Sequence, residues 1–356
     1  MYPKIITDLG IIRKNAKNMS RICGENDLSL MAITKGFCAT EPIVRTLIES
    51  GVDALGDSRM DNIRSMREKG IDSIPIWLLR IPMLSELESV ARWADGTLIS
   101  EVSTARKLSA AAVQADRHLE MILMVEMGDL REGVPQEKLL ESAKAMSQLP
   151  HLILKGIGAN FACFGGVIPT QEVLKELVQL RNSLEQQLKI SLPIVSGGNS
   201  SSVDVLLEDL PKGITQLRLG EAILFGQEAC ARKPIPGSDQ NAFTLEAEVI
   251  EVQTKPSMPT GKIGIDAFGN VPVHEDRGIR RRAIVAVGRQ DTVPEDLAPL
   301  WKGIQILGSS SDHMILDVED TAHTIEVGTI IPFRIRYYSA MLQGFTSSYM
   351  TKEYIE

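Results

Sequence analysis

Between residues 28 and 219 eight short apolar runs alternate with segments whose apolar residues lie three and four positions apart. The runs occupy 28–35, 52–55, 74–79, 97–100, 119–125, 152–161, 192–195 and 216–219. Short apolar runs bounded by turn residues read as buried strands, and the 3.6-residue period between them reads as helix. Strand–helix repeats of this number and length are the pattern of a (β/α)8 barrel. An open doubly wound sheet would need a glycine-rich fingerprint after its first strand, and Lys35-Gly36-Phe37 is not one.

Closure of a barrel brings every strand end to one face. Lys35, Asp57, Arg80, Arg131, Asn160, Asn199, Ser200 and Arg218 are therefore expected to converge there. Ser196-Gly197-Gly198-Asn199-Ser200-Ser201-Ser202 joins a strand to a helix, and its backbone N–H groups and hydroxyls suit a phosphate. Arg218-Leu219-Gly220-Glu221 ends the next strand. Barrels commonly bind phosphate with the loops after their seventh and eighth strands.

After about residue 236 the helical pattern fades into short β-like runs at 243–253, 283–288, 304–307, 314–318 and 330–337. Residues 1–235 are thus expected to form the barrel and 236–356 a smaller all-β domain. The length of 356 residues agrees with more than one core. A formal charge of −8 argues against general nucleic-acid binding and suits a cationic small substrate. No apolar run approaches the roughly 20 residues of a membrane span, and Met1-Tyr2-Pro3-Lys4 opens no signal peptide, so a cytoplasmic location is expected. Cys23, Cys38, Cys163 and Cys230 show no metal-type spacing, and no metal is expected. Arg280-Arg281-Arg282 reads as a solvated turn.

The chain resembles the fold type III pyridoxal 5′-phosphate (PLP) enzymes, the alanine racemase family, over nearly its full length. The resemblance is carried by Ala32-Ile33-Thr34-Lys35-Gly36, Gly56-Asp57-Ser58-Arg59, Gly128-Asp129-Leu130-Arg131-Glu132-Gly133 and the segment from Pro193 through Ser202. Gly264-Ile265-Asp266-Ala267-Phe268-Gly269-Asn270, Gly308-Ser309-Ser310-Ser311-Asp312-His313 and Gly344-Phe345-Thr346-Ser347 add to it. It implies that Lys35 holds PLP in a Schiff-base linkage, with Asn199, Ser200, Gly220, Glu221 and Ala222 around the phosphate. By the same resemblance Tyr337 reaches the phosphate, Arg131 lies near the cofactor hydroxyl and Arg218 faces the pyridine nitrogen. The implied activity is racemisation of a free amino acid, ornithine before alanine, lysine or arginine, in a homodimer with shared active sites. Asp291, Asp312 and Asp266 are candidate acceptors for a distal ammonium. A metal-assisted aldolase or dehydratase, or a non-catalytic PLP-homeostasis protein, are the alternatives of the same fold.

Two departures stand out. Alanine racemases place a histidine against the cofactor ring where this chain has Asn160. Their catalytic tyrosine lies in a Gly-Tyr-x-Asp segment that here reads Gly288-Arg289-Gln290-Asp291. The second proton carrier is therefore sought among local groups, Asp312 and His313.

Overall fold

The computed structural model describes residues 1–266, 268–269 and 271–356; Ala267 and Asn270 of the resemblance segment lie outside the described residues. The first strand, β1 (Lys4–Asp8), pairs antiparallel with residues 243–246 and parallel with 351–355. It is followed by α1 (Leu9–Glu25), which buries Leu9, Ile12, Ala16, Met19 and Cys23 at helical spacing.

Eight parallel strands then close into a barrel: β2 (Ser29–Ile33), β3 (Ala54–Asp57), β4 (Ile76–Leu78), β5 (Gly96–Ile99), β6 (Leu119–Met124), β7 (Leu152–Gly158), β8 (Ile194–Ser196) and β9 (Gln216–Leu219). Between them lie α2 (Glu41–Glu49), α3 (Met60–Glu68), α4 (Leu87–Trp93), α5 (Val102–Gln114), α6 (Leu139–Ser147), α7 (Gln171–Leu188) and α8 (Val203–Asp209), with the short α9 (Glu221–Leu224) after β9. The seam is β2 against β9, with Met31 opposite Arg218.

Period two decides what enters the barrel. Met31, Ile33, Ala54, Trp77, Leu98, Ile122 and Met124 form one buried cluster, with Leu79 and Ile194 against it. Gly96 makes room for the indole: a Cβ there would lie 2.6 Å from the Trp77 ring. On the β8–β9 side the buried residues Ser196, Gln216 and Arg218 are polar.

The second unit is an antiparallel sheet. It contains β10 (Phe243–Pro256), β11 (Ile279–Val285), β12 (Leu297–Pro299), β13 (Gln305–Ser309), β14 (Met314–Asp317), β15 (Ile330–Ile335), α10 (Tyr338–Thr346) and β16 (Thr351–Ile355). The strand order is β12-β15-β10-β11-β14-β13, with β1 beside β10 and β16 beside β1. Along β10 the buried residues Phe243, Leu245, Ala247 and Val249 alternate with more exposed ones.

The compact units are Met1–Asp8 with Asn241–Glu356, and Leu9–Gln240. These bounds differ from 1–235 and 236–356 because the ladder that opens the chain belongs to the β unit. The strand is only five residues long, too short an alternation to separate strand from helix entry. Arg280-Arg281-Arg282 is not a turn either. It lies within β11, where Arg280 meets the buried Asp317 at 2.9 Å and Arg277 meets the same carboxylate at 3.1 Å.

Adjacent backbones leave no room for a side chain at Gly156 of β7, where a Cβ would fall 1.8 Å from the Ile194 carbonyl oxygen. Gly156→Ala is expected to cost about 3 kcal/mol or more by forcing the backbones apart. Gly24→Ala, with nothing within 4 Å of the new Cβ, should instead gain up to about 1 kcal/mol of helix propensity. Urea denaturation of the two variants checks the contrast; equal effects would mean that the close approach of β7 and β8 is not maintained in solution.

Candidate active site

Lys35 leaves the barrel at the end of β2, on a single 3-10 turn (Lys35–Phe37). Cys38 and Ala39 follow with left-handed φ of 51° and 47°. Non-glycine residues in that region store strain and gather at functional sites. Beneath the lysine, Thr34 Oγ1 donates to Asp57 Oδ2 at 2.6 Å. Asp57 also accepts from the Arg59 N–H at 2.8 Å and from Asn62 Nδ2 at 3.1 Å. Burial pushes the Asp57 carboxyl above its ordinary range, against these hydrogen bonds. Asp57 thus fastens the strand ends.

The Lys35 ammonium has no hydrogen-bond or ion-pair partner among the described residues. Its pKa is lowered, first by burial and then by the Arg131 guanidinium, while Cys163, Asp57 and Glu132 oppose the shift. A lowered pKa raises the fraction of neutral amine near neutral pH, the form that acts as nucleophile and base.

Arg218 projects from β9 and is 3% exposed. Its Nη1 donates to Ser196 Oγ; its Nη2 donates to Ala159 O at 2.7 Å and Asn160 Oδ1 at 2.6 Å. Ser196 Oγ in turn donates to Gln216 Oε1 at 2.8 Å. Burial pulls the Arg218 pKa down to about 10, still far enough above neutrality to keep it charged. It does not pair with Glu221, whose carboxylate accepts from Gln227 Nε2 at 3.0 Å.

From Asn160 the polar strip continues outward. Asn160 Nδ2 donates to Glu132 Oε1, and Arg131 grips the same carboxylate, Nε to Oε2 and Nη2 to Oε1 at 2.6 Å. Burial lowers the Arg131 pKa, but the Glu132 hydrogen bonds together with the charges of Cys163, Glu132 and Asp129 outweigh it and the net shift is upward. Glu132 and Gln216 have no assigned role in the sequence reading, and Ser196 stands there only as the first residue of the phosphate loop. Gln216 and Ser196 were legible as the polar partners of Arg218 by strand alternation; Glu132 carried only its place beside Arg131.

The β8 and β9 loops form a nest. Ser200 Oγ accepts from the Gly220 N–H at 3.2 Å and the Ala222 N–H at 3.1 Å. Asn199 Oδ1 caps the Ser200–Ser202 turn through Ser201 N–H at 2.8 Å, and its Nδ2 donates to Phe161 O at 2.9 Å and Cys163 Sγ at 3.3 Å. Ser201 Oγ is buried without a partner among the described residues.

Lys35, Arg131, Asn160, Asn199, Ser200, Arg218, Gly220, Glu221 and Ala222 all belong to the barrel unit; Tyr337, Asp312 and His313 belong to the β unit. The Tyr337 hydroxyl accepts from Arg336 Nη2 at 3.0 Å. Asp312 Oδ1 meets His313 Nδ1 at 2.8 Å on an exposed turn, and this bond holds the Asp312 carboxyl below its usual range. Asp291 is buried and accepts from Ser347 Oγ at 2.7 Å, whereas Asp266 is exposed.

Ser196→Ala removes one acceptor of a buried guanidinium. A loss of about 1–3 kcal/mol is expected, read by urea denaturation. A loss below about 0.5 kcal/mol, the range of neutral surface changes, would show that the guanidinium has another acceptor.

The chain is similar to several known proteins. The family model "Alanine racemase, N-terminal domain" matches residues 7–228. The ornithine racemase of Acetoanaerobium sticklandii is 42% identical over 99% of both chains. The lysine racemase of Thermotoga maritima is 38% identical, again over 99% of each. Among solved structures, alanine racemase from D-cycloserine-producing Streptomyces lavendulae superposes with a TM-score of 0.76 at 17% identity, over 100% of this chain and 98% of that one, a likeness of fold.

Proposed function

The chain belongs to the alanine racemase family and is a racemase, and from that premise we propose that it interconverts the L and D forms of ornithine with PLP as its cofactor. The observation that carries the reading is Lys35: a half-buried amine with a lowered pKa, unpaired among the described residues, at the barrel face that also holds the Ser200–Gly220 nest.

The nest fits a phosphate. The Ser201 hydroxyl is buried and lacks a partner, the Gly220 and Ala222 N–H groups point at one hydroxyl oxygen, and a Cβ on Gly220 would lie 3.3 Å from Ile33 Cβ. Asn199, Ser200, Ser201, Gly220 and Ala222 would hold the phosphate, with Glu221 lending backbone; Tyr337 of the β unit is a phosphate ligand by the family resemblance alone. Lys35 would hold the cofactor covalently. When bound, PLP supplies an electron sink that stabilises negative charge on the substrate α-carbon.

The protein's own groups do the rest. Lys35 Nζ, once free of its linkage, removes the α-proton on one face. Arg218 has no acceptor atom, so it can meet the pyridine nitrogen only as a donor and cannot protonate it at working pH. Arg131 would stand by the cofactor hydroxyl. For the second proton carrier Asp312 and His313, held to each other at 2.8 Å in the β unit, are the candidates. A diamino side chain would be met by a carboxylate, with Asp291, Asp312 and Asp266 the candidates. A cytoplasmic homodimer with shared active sites is part of the same reading. The exposed side chains Leu130, Phe164 and Ile168, on the loops after β6 and β7, offer a partner an apolar surface.

α-Hydrogen exchange in deuterated water, followed by NMR for ornithine, lysine and alanine, tests the substrate. Ornithine should exchange at least about tenfold faster than alanine, a difference of about 1.4 kcal/mol in barrier; equal rates would sink the cationic preference. Lys35→Ala should lose both racemisation and the borohydride-reducible adduct. An intact reducible adduct in that variant moves the cofactor to another amine.

A further inference from the structure

Glu132 has no part in the reaction as described, yet the backbone is built to aim it. The loop after β6 returns on itself: Val134 donates to Met124 O at 2.8 Å and Glu126 donates to Val134 O at 3.0 Å. Between them Gly133 has a φ of 150°, and a Cβ there would lie 2.4 Å from the Glu126 nitrogen. Glu126 Oε1 ties the rest of the loop, accepting from Leu130 N–H at 3.1 Å. Asp129 catches the neighbouring loop instead, through the Phe164 N–H at 3.1 Å.

Of the three acids in this loop, Glu132 is the one that hydrogen-bonds Arg131, while Asp129 acts on that guanidinium only through its charge. One oxygen, Oε1, takes both Arg131 Nη2 and Asn160 Nδ2, and the other takes Arg131 Nε. With its NH2 against a carboxylate, the Asn160 amide must turn its oxygen to Arg218 Nη2, at 2.6 Å. The reverse orientation would set an NH2 against a guanidinium and an oxygen against a carboxylate. One carboxylate therefore fixes two arginines, the first directly and the second through an amide that has only one workable orientation.

We propose that Glu132 is a positioning residue for the racemisation: the fixed anion that locks Arg131 and, through Asn160, Arg218, and that balances their charge beside Lys35. The inference rests on the racemase reading and deepens it. The groups that bear on Lys35 are Arg131, Cys163, Asp57 and Glu132. Removing the Glu132 charge leaves Arg131 without its anion and takes away one of the groups that oppose the lowering.

The test uses Glu132→Gln and Glu132→Asp in the full chain. In cofactor-free protein, the pH profile of Lys35 acylation by an amine-selective reagent is read by peptide mass spectrometry. Glu132→Gln should move the midpoint down by roughly one pH unit; Glu132→Asp, which keeps the charge, should leave it in place. In PLP-loaded protein, kcat for ornithine should fall at least tenfold in both variants, since the shorter aspartate cannot span Arg131 and Asn160, while KM changes less than threefold. A Lys35 midpoint unchanged in Glu132→Gln, or kcat within twofold of wild type in both variants, overturns the proposal. If Glu132→Gln does not fold, Glu132→Asp decides by the kcat arm. A wild-type protein that racemises no amino acid overturns the racemase reading instead, and the acylation arm still decides whether Glu132 governs Lys35.

Discussion

A guanidinium that water cannot reach must find its acceptors in the protein, and in this barrel that demand falls on Arg218. Removal of an ion from water costs several kcal/mol unless hydrogen bonds replace the lost hydration. Three strands supply the replacement: Ser196 ends β8, Ala159 and Asn160 follow β7, and Gln216 backs Ser196 from β9 itself. The apolar cluster under Trp77 fills the rest of the interior. Polar inward positions are thus concentrated at the β8–β9 side, next to the loops that form the Ser200 nest. Arg218 remains a cation that can only donate.

Much of this was legible in the residues. Eight apolar runs gave the barrel and the convergence of their ends, because parallel strands buried on both faces cannot hide their composition. The boundaries slid by a few residues, as at β3, where 52–55 became Ala54–Asp57. β1, β12 and β16 were not legible. Each is five residues or fewer, and short strands owe their pairing to neighbours far away in sequence. The helix α10 was hidden for the opposite reason: Tyr338 follows directly on an alternating run, so the change of period has no punctuation before it.

At the site, chemistry at strand ends was readable and chemistry between loops was not. Lys35, Arg218 and the serine loop announce themselves by position. Glu132 does not, since a glutamate beside an arginine is ordinarily a surface pair worth little. Its meaning comes from Gly133 and from an asparagine 28 positions away. The departure at Asn160, where alanine racemases carry a histidine, reads differently once its two neighbours are known. An amide can donate to a carboxylate and accept from a guanidinium at once, and it needs no particular protonation state to do so.

The pairing of β1 with β16 sets an order of events during synthesis. Residues Leu9–Gln240 form a contiguous unit, complete before most of the sheet has been made. β1 leaves the ribosome ahead of that unit, yet its parallel neighbour begins at Thr351. At 5–20 residues per second the interval is roughly 20–70 s. For that time β1 is an unfinished strand, with the apolar Ile5 unshielded on one side of it. β10 can cover one edge of β1 once residues 243–246 emerge, but the other edge stays open until residues 351–355 emerge. Thr351–Ile355 therefore acts as a clasp: it closes a ladder whose first rung, β1, was made before the barrel.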